Sequence, residues 1–114
     1  MRAMPLVLGG LGTVAVILWL ATAPAGAVAP SPEAGADLAA RWCAGCHVVG
    51  PSGAGTDSAP SFAAIAGRRD SAEIRAFLVK PHARPMRGFS LSTREIEDVA
   101  AYIETLEQRA ETGR

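Results

Sequence analysis

The stretch that decides the fold is Trp42-Cys43-Ala44-Gly45-Cys46-His47, in which a histidine directly follows the second of two cysteines. These are the only two cysteines in the chain. Because only two residues separate them, both thiols can lie close together on a single turn of backbone. Two thiols and an imidazole are therefore available to one bound group.

The C-x-x-C-H spacing is typical of covalent haem attachment. Two thiols can add across the two vinyl groups of one haem, and the next residue then places its imidazole beneath the porphyrin. On this interpretation Cys43 and Cys46 form two thioethers to one haem c, and His47 is the proximal ligand of the iron.

Three other kinds of site would use the same residues. A disulfide between Cys43 and Cys46 would suit an exported protein, but it leaves His47 without a role. A thioredoxin-like redox pair needs a βαβ pattern, which the sequence lacks. A tetrahedral zinc site would add His47 and His82, but the usual H-x₃₋₅-H pair is missing. In addition, His47 directly follows Cys46, which makes it awkward for both to bind one small ion. Haem is the interpretation that gives all three motif residues a role without these difficulties.

The first residues predict a secretory leader. Arg2 precedes an apolar run from Leu6 to Ala23, and Ala25-Gly26-Ala27 has the small residues of a cleavage site. Cleavage there predicts a periplasmic protein that begins at Val28. The alternative is an uncleaved anchor in the inner membrane, since the run approaches the roughly 17 residues of a spanning helix. We divide the chain into a signal peptide at 1–27, a short tether at 28–34 and one domain at 35–110.

The domain is small and nearly neutral. Without residues 1–27, 87 of the 114 residues remain, and a core of that size is marginal without a staple or a cofactor. The chain has 11 Lys and Arg against 11 Asp and Glu, and of these only Arg2 lies in the leader. This balance argues against a nucleic-acid-binding protein, which would need a basic face.

The rest of the chain predicts helices and loops, because no segment shows the period-two alternation of a strand. We expect a first helix from near Pro32 to Trp42 and a loop over 48–59, which is rich in turn formers. A short helix is expected over 61–66, with Gly67 as its left-handed end.

A third helix is predicted between a capping box and a proline. Asp70 and Glu73 fit the N-cap and N3 positions, and Pro81 ends the helix because it cannot donate a hydrogen bond. Residues at i, i+3 and i+4 predict its buried face: Ile74, Phe77 and Leu78.

The last helix has the clearest signals. Ser92 and Glu95 form a second capping box, and Leu91 and Ile96 occupy the hydrophobic-staple positions. One apolar stripe follows at helical spacing: Ile96, Val99, Ala100, Ile103 and Leu106.

A sixth iron ligand has few candidates. After residue 27, Met86 is the only methionine, and His82 is the only histidine besides His47. Met86 lies in the polar, proline-rich loop 81–88 rather than on an apolar helix face. A thioether would also raise the reduction potential. We therefore predict Met86 as the distal ligand.

These features together resemble the class I c-type cytochromes of bacteria. Members of that family are all-α, with three to five helices wrapped around one covalently bound haem. The resemblance extends from about Gly35 to Leu106. It implies thioethers at Cys43 and Cys46 and axial ligands at His47 and Met86.

The resemblance also implies roles outside the motif. Pro60 resembles the proline whose carbonyl accepts the Nδ1 hydrogen of the proximal histidine. Gly35 and Tyr102 resemble the residues at which the first and last helices cross. The chain departs from the family in the distal loop, where Arg87 and not a proline follows Met86.

Two protein ligands leave no open iron position for a substrate. We therefore expect an electron carrier, not an enzyme, which passes single electrons between redox proteins. The donor would be a dehydrogenase or reductase, and the acceptor an oxidase or another cytochrome. The alternatives are the haem subunit of a periplasmic dehydrogenase and a sensor or weak peroxidase with a labile sixth ligand.

The charges are unevenly distributed along the domain. Residues 68–87 hold six basic and two acidic side chains, whereas residues 94–114 hold three basic and six acidic ones. This pattern predicts a positive ring around the haem edge that would steer an acidic partner.

Overall fold

The computed structural model describes residue 26, residues 28–82 and residues 88–113. Within these residues the chain forms helices and no strand, which confirms the all-α prediction. The rest of the predicted leader lies outside the described residues. The helices are α1 (Pro32–Trp42), α2 (Phe62–Ala66), α3 (Ser71–Leu78) and α4 (Thr93–Thr112).

In the part of the chain that the structure describes, no helix combines the length and the apolar character needed to cross a bilayer.

Each helix begins at a side chain that accepts an N–H from the first turn. Both predicted capping boxes are formed, at Asp70 with Glu73 and at Ser92 with Glu95. The backbone N–H of Ser92 donates to the Glu95 carboxylate at 2.8 Å, and this bond lowers the pKa of Glu95 below its ordinary 4.5. A lowered pKa means that the box stabilises α4 most at neutral pH, and that this stabilisation is lost as the pH falls through the lowered value.

The end of α2 differs from the prediction. Gly67 has φ −77° and ψ −6°, so it is right-handed, and the left-handed cap is wrong. Its N–H donates to the Ala63 carbonyl at 3.2 Å, and the next two N–H groups donate to the Ile65 carbonyl. Because these bonds already satisfy carbonyls at the end of the helix, no left-handed residue is needed there.

The face that α3 buries is narrower than its apolar spacing predicts. Ile74 is buried and Leu78 packs against the core, but Phe77 is 61% exposed and does not join these two residues in the protein core. The helix meets α4 through Ile74 and Leu78 and through an ion pair from Arg75, whose Nε lies 2.7 Å from Glu97 Oε2. Phe77 lies on the other flank of Ile74, about 100° around the helix from Leu78, and therefore faces away from α4.

The last helix supplies most of the core, as its apolar stripe predicts. Ile96, Val99, Ala100, Ile103 and Leu106 are all buried. They pack against residues of the other three helices: Leu38, Ala39, Phe62, Ala66 and Ile74.

The first and last helices cross at Gly35. A Cβ atom built on Gly35 would lie 1.9 Å from the Asp98 carbonyl oxygen and 2.9 Å from the Tyr102 Cβ. Only a residue without a side chain lets the two backbones approach this closely. Gly35 and Tyr102 therefore lie at the crossing, as the family resemblance implies.

A buried carboxylate joins the tether to the last helix. Asp98 accepts the Ser31 backbone N–H at 2.8 Å and pairs with Arg94 at 3.1 Å. Arg94 also donates to the carbonyls of Val28 and Ala29 at 2.7 and 3.0 Å. The 28–31 segment is thus hydrogen-bonded to α4. The remaining residues of the predicted tether, 32–34, form the start of α1.

Substituting Gly35 tests the helix crossing. The added methyl group of Gly35→Ala meets backbone atoms, which cannot rotate away. We therefore expect an overpacking cost of about 3 kcal/mol, at the upper end of the usual range. This outweighs the roughly 1 kcal/mol that alanine gains inside a helix. Denaturant unfolding of the haem-loaded protein should show a net loss of about 2 kcal/mol.

Gly50→Ala is the matched control, because a Cβ on Gly50 would meet nothing within 4 Å. If both variants unfold at the same denaturant concentration as the parent protein, the close crossing does not limit stability.

Candidate haem-binding site

The C-x-x-C-H motif continues directly from the end of α1. The N–H groups of Cys43 and Ala44 both donate to the Ala39 carbonyl, at 2.9 and 3.0 Å. The N–H groups of Cys46 and His47 then donate to the Cys43 carbonyl, at 3.1 and 2.9 Å. The motif is therefore one compact turn, anchored to a helix that the Gly35 crossing holds against α4.

Neither cysteine is in a disulfide. Cys43 is half-buried and Cys46 is exposed, and both are free thiols. Burial raises the pKa of the Cys43 thiol above its ordinary value. A catalytic redox cysteine has the opposite feature, a lowered pKa, so the thioredoxin-like interpretation gains no support here.

The imidazole of His47 is held by one backbone carbonyl. Its Nδ1 lies 2.7 Å from the Pro60 oxygen. A carbonyl oxygen can only accept, so Nδ1 carries the hydrogen, and in the neutral imidazole Nε2 then has the lone pair. A histidine oriented in this way is prepared to bind a metal through Nε2. The assignments of His47 as proximal ligand and of Pro60 as its partner stay predictions.

Two aromatic residues that sequence reasoning did not assign to the site lie behind His47. The buried Phe62 ring lies 5.5 Å from the His47 ring and 6.4 Å from the Tyr102 ring, both measured between centroids. The available signal was the position of Phe62, two residues after Pro60. The buried Phe62 ring therefore packs against the imidazole on one side.

Several large apolar side chains are exposed. Trp42, in the motif, is 55% exposed, and the Phe89 ring lies 5.9 Å from its ring. Phe77 and Val79, at the end of α3, are 61% and 70% exposed. An open, largely apolar groove also lies between the end of α3 and the start of α4. Its lining includes both apolar and polar residues: Leu78, Val79, Lys80, Pro81, His82, Phe89, Ser90, Leu91, Thr93 and Ile96.

These features fit a large, flat, apolar group with a metal at its centre. The two thiols can attach it, the free Nε2 can bind the metal, and the uncovered aromatic rings can contact its faces. Contiguous apolar surface of this kind marks a binding site in a small protein. The donor set and its surroundings therefore fit a haem.

The zinc alternative finds no such support. Across residues 28–82 and 88–113, no three His, Cys, Asp or Glu side chains come together as a metal site. His82 instead lies edge-on to Phe77, with 5.6 Å between ring centroids. Met86, the predicted distal ligand, lies outside the described residues, so its role stays a prediction.

Comparison with known proteins identifies the family. A sequence model of the cytochrome c family matches residues 32–107. The chain belongs to the cytochrome c family. It is 44% identical to cytochrome c-552 of Bradyrhizobium diazoefficiens over 97 residues, which cover 82% of this chain and 91% of that protein. No solved structure matches the chain significantly. As a member of this family the protein carries a covalently bound c-type haem and acts in electron transfer.

Removing either thiol tests the attachment. Cys43→Ala and Cys46→Ala each delete one thioether, and both should lose most of the holoprotein, because so small a domain lacks a sufficient core without its cofactor. In the parent protein the colour should stay with the chain in denaturing gels and in acid acetone. Pigment that extracts freely into acid acetone would contradict covalent attachment through these cysteines.

Substitutions in loop 81–88 test the distal ligand. Met86→Ala should abolish the sulfur-to-iron charge-transfer band at the red end of the oxidised spectrum and lower the reduction potential, since a thioether favours ferrous iron. His82→Ala is the matched control from the same loop and should leave both nearly unchanged. A spectrum that changes only in His82→Ala would show two histidine ligands and overturn the assignment of Met86.

Proposed function

We propose that this cytochrome is a periplasmic electron carrier that passes single electrons between redox proteins. The observation that carries the proposal is the fixed imidazole of His47, whose Nδ1 is hydrogen-bonded to Pro60. This bond leaves Nε2 as the nitrogen that can bind iron. With Met86 as the second ligand, no open position would remain for a substrate. When bound, the haem supplies reversible one-electron oxidation and reduction.

The chain's own residues would supply retention, orientation and burial. Cys43 and Cys46 would keep the haem on the protein through every redox cycle. The bond between His47 and Pro60 would hold the proximal ligand in one tautomer and one orientation. The buried Phe62 ring would exclude water behind that ligand. A site that changes little between its two charge states is suited to rapid electron transfer.

The leader supports export to the periplasm. Arg2, the apolar run 6–23 and the small residues before Val28 have the order of a secretory signal. Val28, the predicted first residue after cleavage, is held at its carbonyl by Arg94. Cleavage after Ala27 would therefore leave a first residue that is bonded to the folded domain.

Cleavage has a direct test in the intact mass of the purified protein, which should correspond to a chain that begins at Val28. Ala27→Phe should retain the leader, because the residue before the cut must be small. A parent protein that keeps residues 1–27 and fractionates with membranes would instead support the anchored form.

The partners are proposed to be redox proteins with acidic docking surfaces. Arg68 and Lys80 are exposed. Two more cations within residues 68–82 are paired: Arg69 lies 3.2 Å from Glu73, and Arg75 bonds to Glu97. Among these described residues, the unpaired positive charge is therefore smaller than the count of basic side chains predicts. Lys80 lies next to the exposed Val79, so one apolar and one cationic contact are available side by side.

Salt dependence tests this docking surface. Oxidation of the reduced protein by the anion ferricyanide should slow as salt rises, because exposed charges are screened beyond about 10 Å at 0.1 M. A cationic cobalt complex should show the opposite trend. Lys80→Gln should reduce the salt dependence, whereas Arg109→Gln, in the last turn of α4, should not.

Rates that ignore ionic strength with both reagents would contradict electrostatic docking. The carrier role itself has a separate test. Carbon monoxide that binds readily to the reduced protein would indicate an open iron position, as expected for the sensor or peroxidase alternative.

A further inference from the structure

Three hydrogen bonds fix the position of His47 and of the two residues that follow it. The imidazole Nδ1 donates to the Pro60 carbonyl at 2.7 Å. The Phe62 backbone N–H donates to the Val48 carbonyl at 2.9 Å. The Tyr102 hydroxyl donates to the Val49 carbonyl at 2.6 Å. The two residues that follow His47 are therefore both held by groups distant in sequence.

The aromatic rings form a continuous contact from the last helix to the imidazole. Tyr102 packs against Phe62, and Phe62 packs against His47. Phe62 is 4% exposed, so it has little room to move without displacing one of its neighbours. A change in the position of the Tyr102 ring would consequently reach the imidazole through one buried side chain.

Tyr102 is itself held at the helix crossing. Its Cβ lies 2.9 Å from the place where a Gly35 side chain would begin. The backbone of α4 at this point therefore cannot shift toward α1. Because the backbone at Tyr102 is fixed, the hydrogen bond from its hydroxyl can restrict the position of the more exposed loop that contains Val49.

We propose that Tyr102 is a positioning residue for the proximal ligand, and that its hydrogen bond to Val49 tunes the reduction potential of the haem. The proposal rests on the proposed role of His47 as an iron ligand. Holding Val48 and Val49 holds the His47 backbone, which keeps the bond from Nδ1 to Pro60 short. A strong bond at Nδ1 makes the imidazole a better electron donor and favours ferric iron.

Tyr102→Phe is the sharpest variant, because it keeps the ring beside Phe62 and removes only the hydroxyl. Three results are expected for the holoprotein: a higher reduction potential, altered ferric EPR g-values, and faster hydrogen exchange at His47 Nδ1. The exchange should accelerate about fivefold, the factor that corresponds to a lost hydrogen bond worth ~1 kcal/mol. Phe62→Leu, which removes the ring contact, should shift the potential and the g-values in the same direction.

Thr105→Val is the matched control. Thr105 lies one turn further along α4 and donates to the Tyr102 carbonyl at 2.7 Å, so its hydroxyl bonds within the helix and not to the loop. It should change stability without changing the potential or the exchange rate. If Tyr102→Phe also changes only stability, Tyr102 has a structural role and the proposal is overturned.

The test separates this proposal from the assignment on which it rests. NMR of the ferric protein shows whether the His47 ring carries the large hyperfine shifts of an iron ligand. Without those shifts the ligand assignment fails, whatever Tyr102 does. With those shifts present and unchanged in Tyr102→Phe, the ligand assignment stands and only the positioning role fails.

Discussion

Gly35 lets the first helix lie directly against the backbone of the last, and the other features of the site depend on this contact. The C-terminal end of α1 carries Cys43, so the crossing determines where the attachment motif lies. The same contact fixes the backbone at Tyr102, whose hydroxyl reaches the loop after His47. A side chain at position 35 would separate two helices that must stay together for the thiols, the imidazole and the loop to keep their relative positions.

The small core gives a physical reason for covalent attachment of the haem. The stripe on α4 is buried, yet Trp42 in the motif and Phe77 and Val79 at the end of α3 remain exposed. A domain of this size needs a further source of apolar contact. A haem linked at two cysteines would act both as the redox centre and as part of the core. Because the thioethers would keep the haem on the unfolded chain as well, its contribution to stability would come from the apolar contacts that form only on folding.

Several charged side chains of this protein form ion pairs that join parts of the fold. Arg75 binds Glu97, and so an acidic side chain of α4 neutralises a basic side chain of α3. Arg94 and Asp98 form a second pair, in which the carboxylate is buried and also accepts the Ser31 N–H. A buried carboxylate would be costly if unpaired, so its partners show that the chain before α1 belongs to the folded unit.

The sequence by itself determined the features that follow from local rules. The C-x-x-C-H motif indicated the cofactor, and the two capping boxes and the α4 stripe located helices that the structure contains. These signals succeed because caps and helical faces depend on residues within one or two turns.

Tertiary structure alone decided which residues distant in sequence contact one another. The packing direction of α3 left Phe77 outside the core, and the bond from Tyr102 to Val49 joins residues 53 positions apart. No local pattern encodes the packing side of α3 or the bond from Tyr102, because both exist only once helices distant in sequence have packed together.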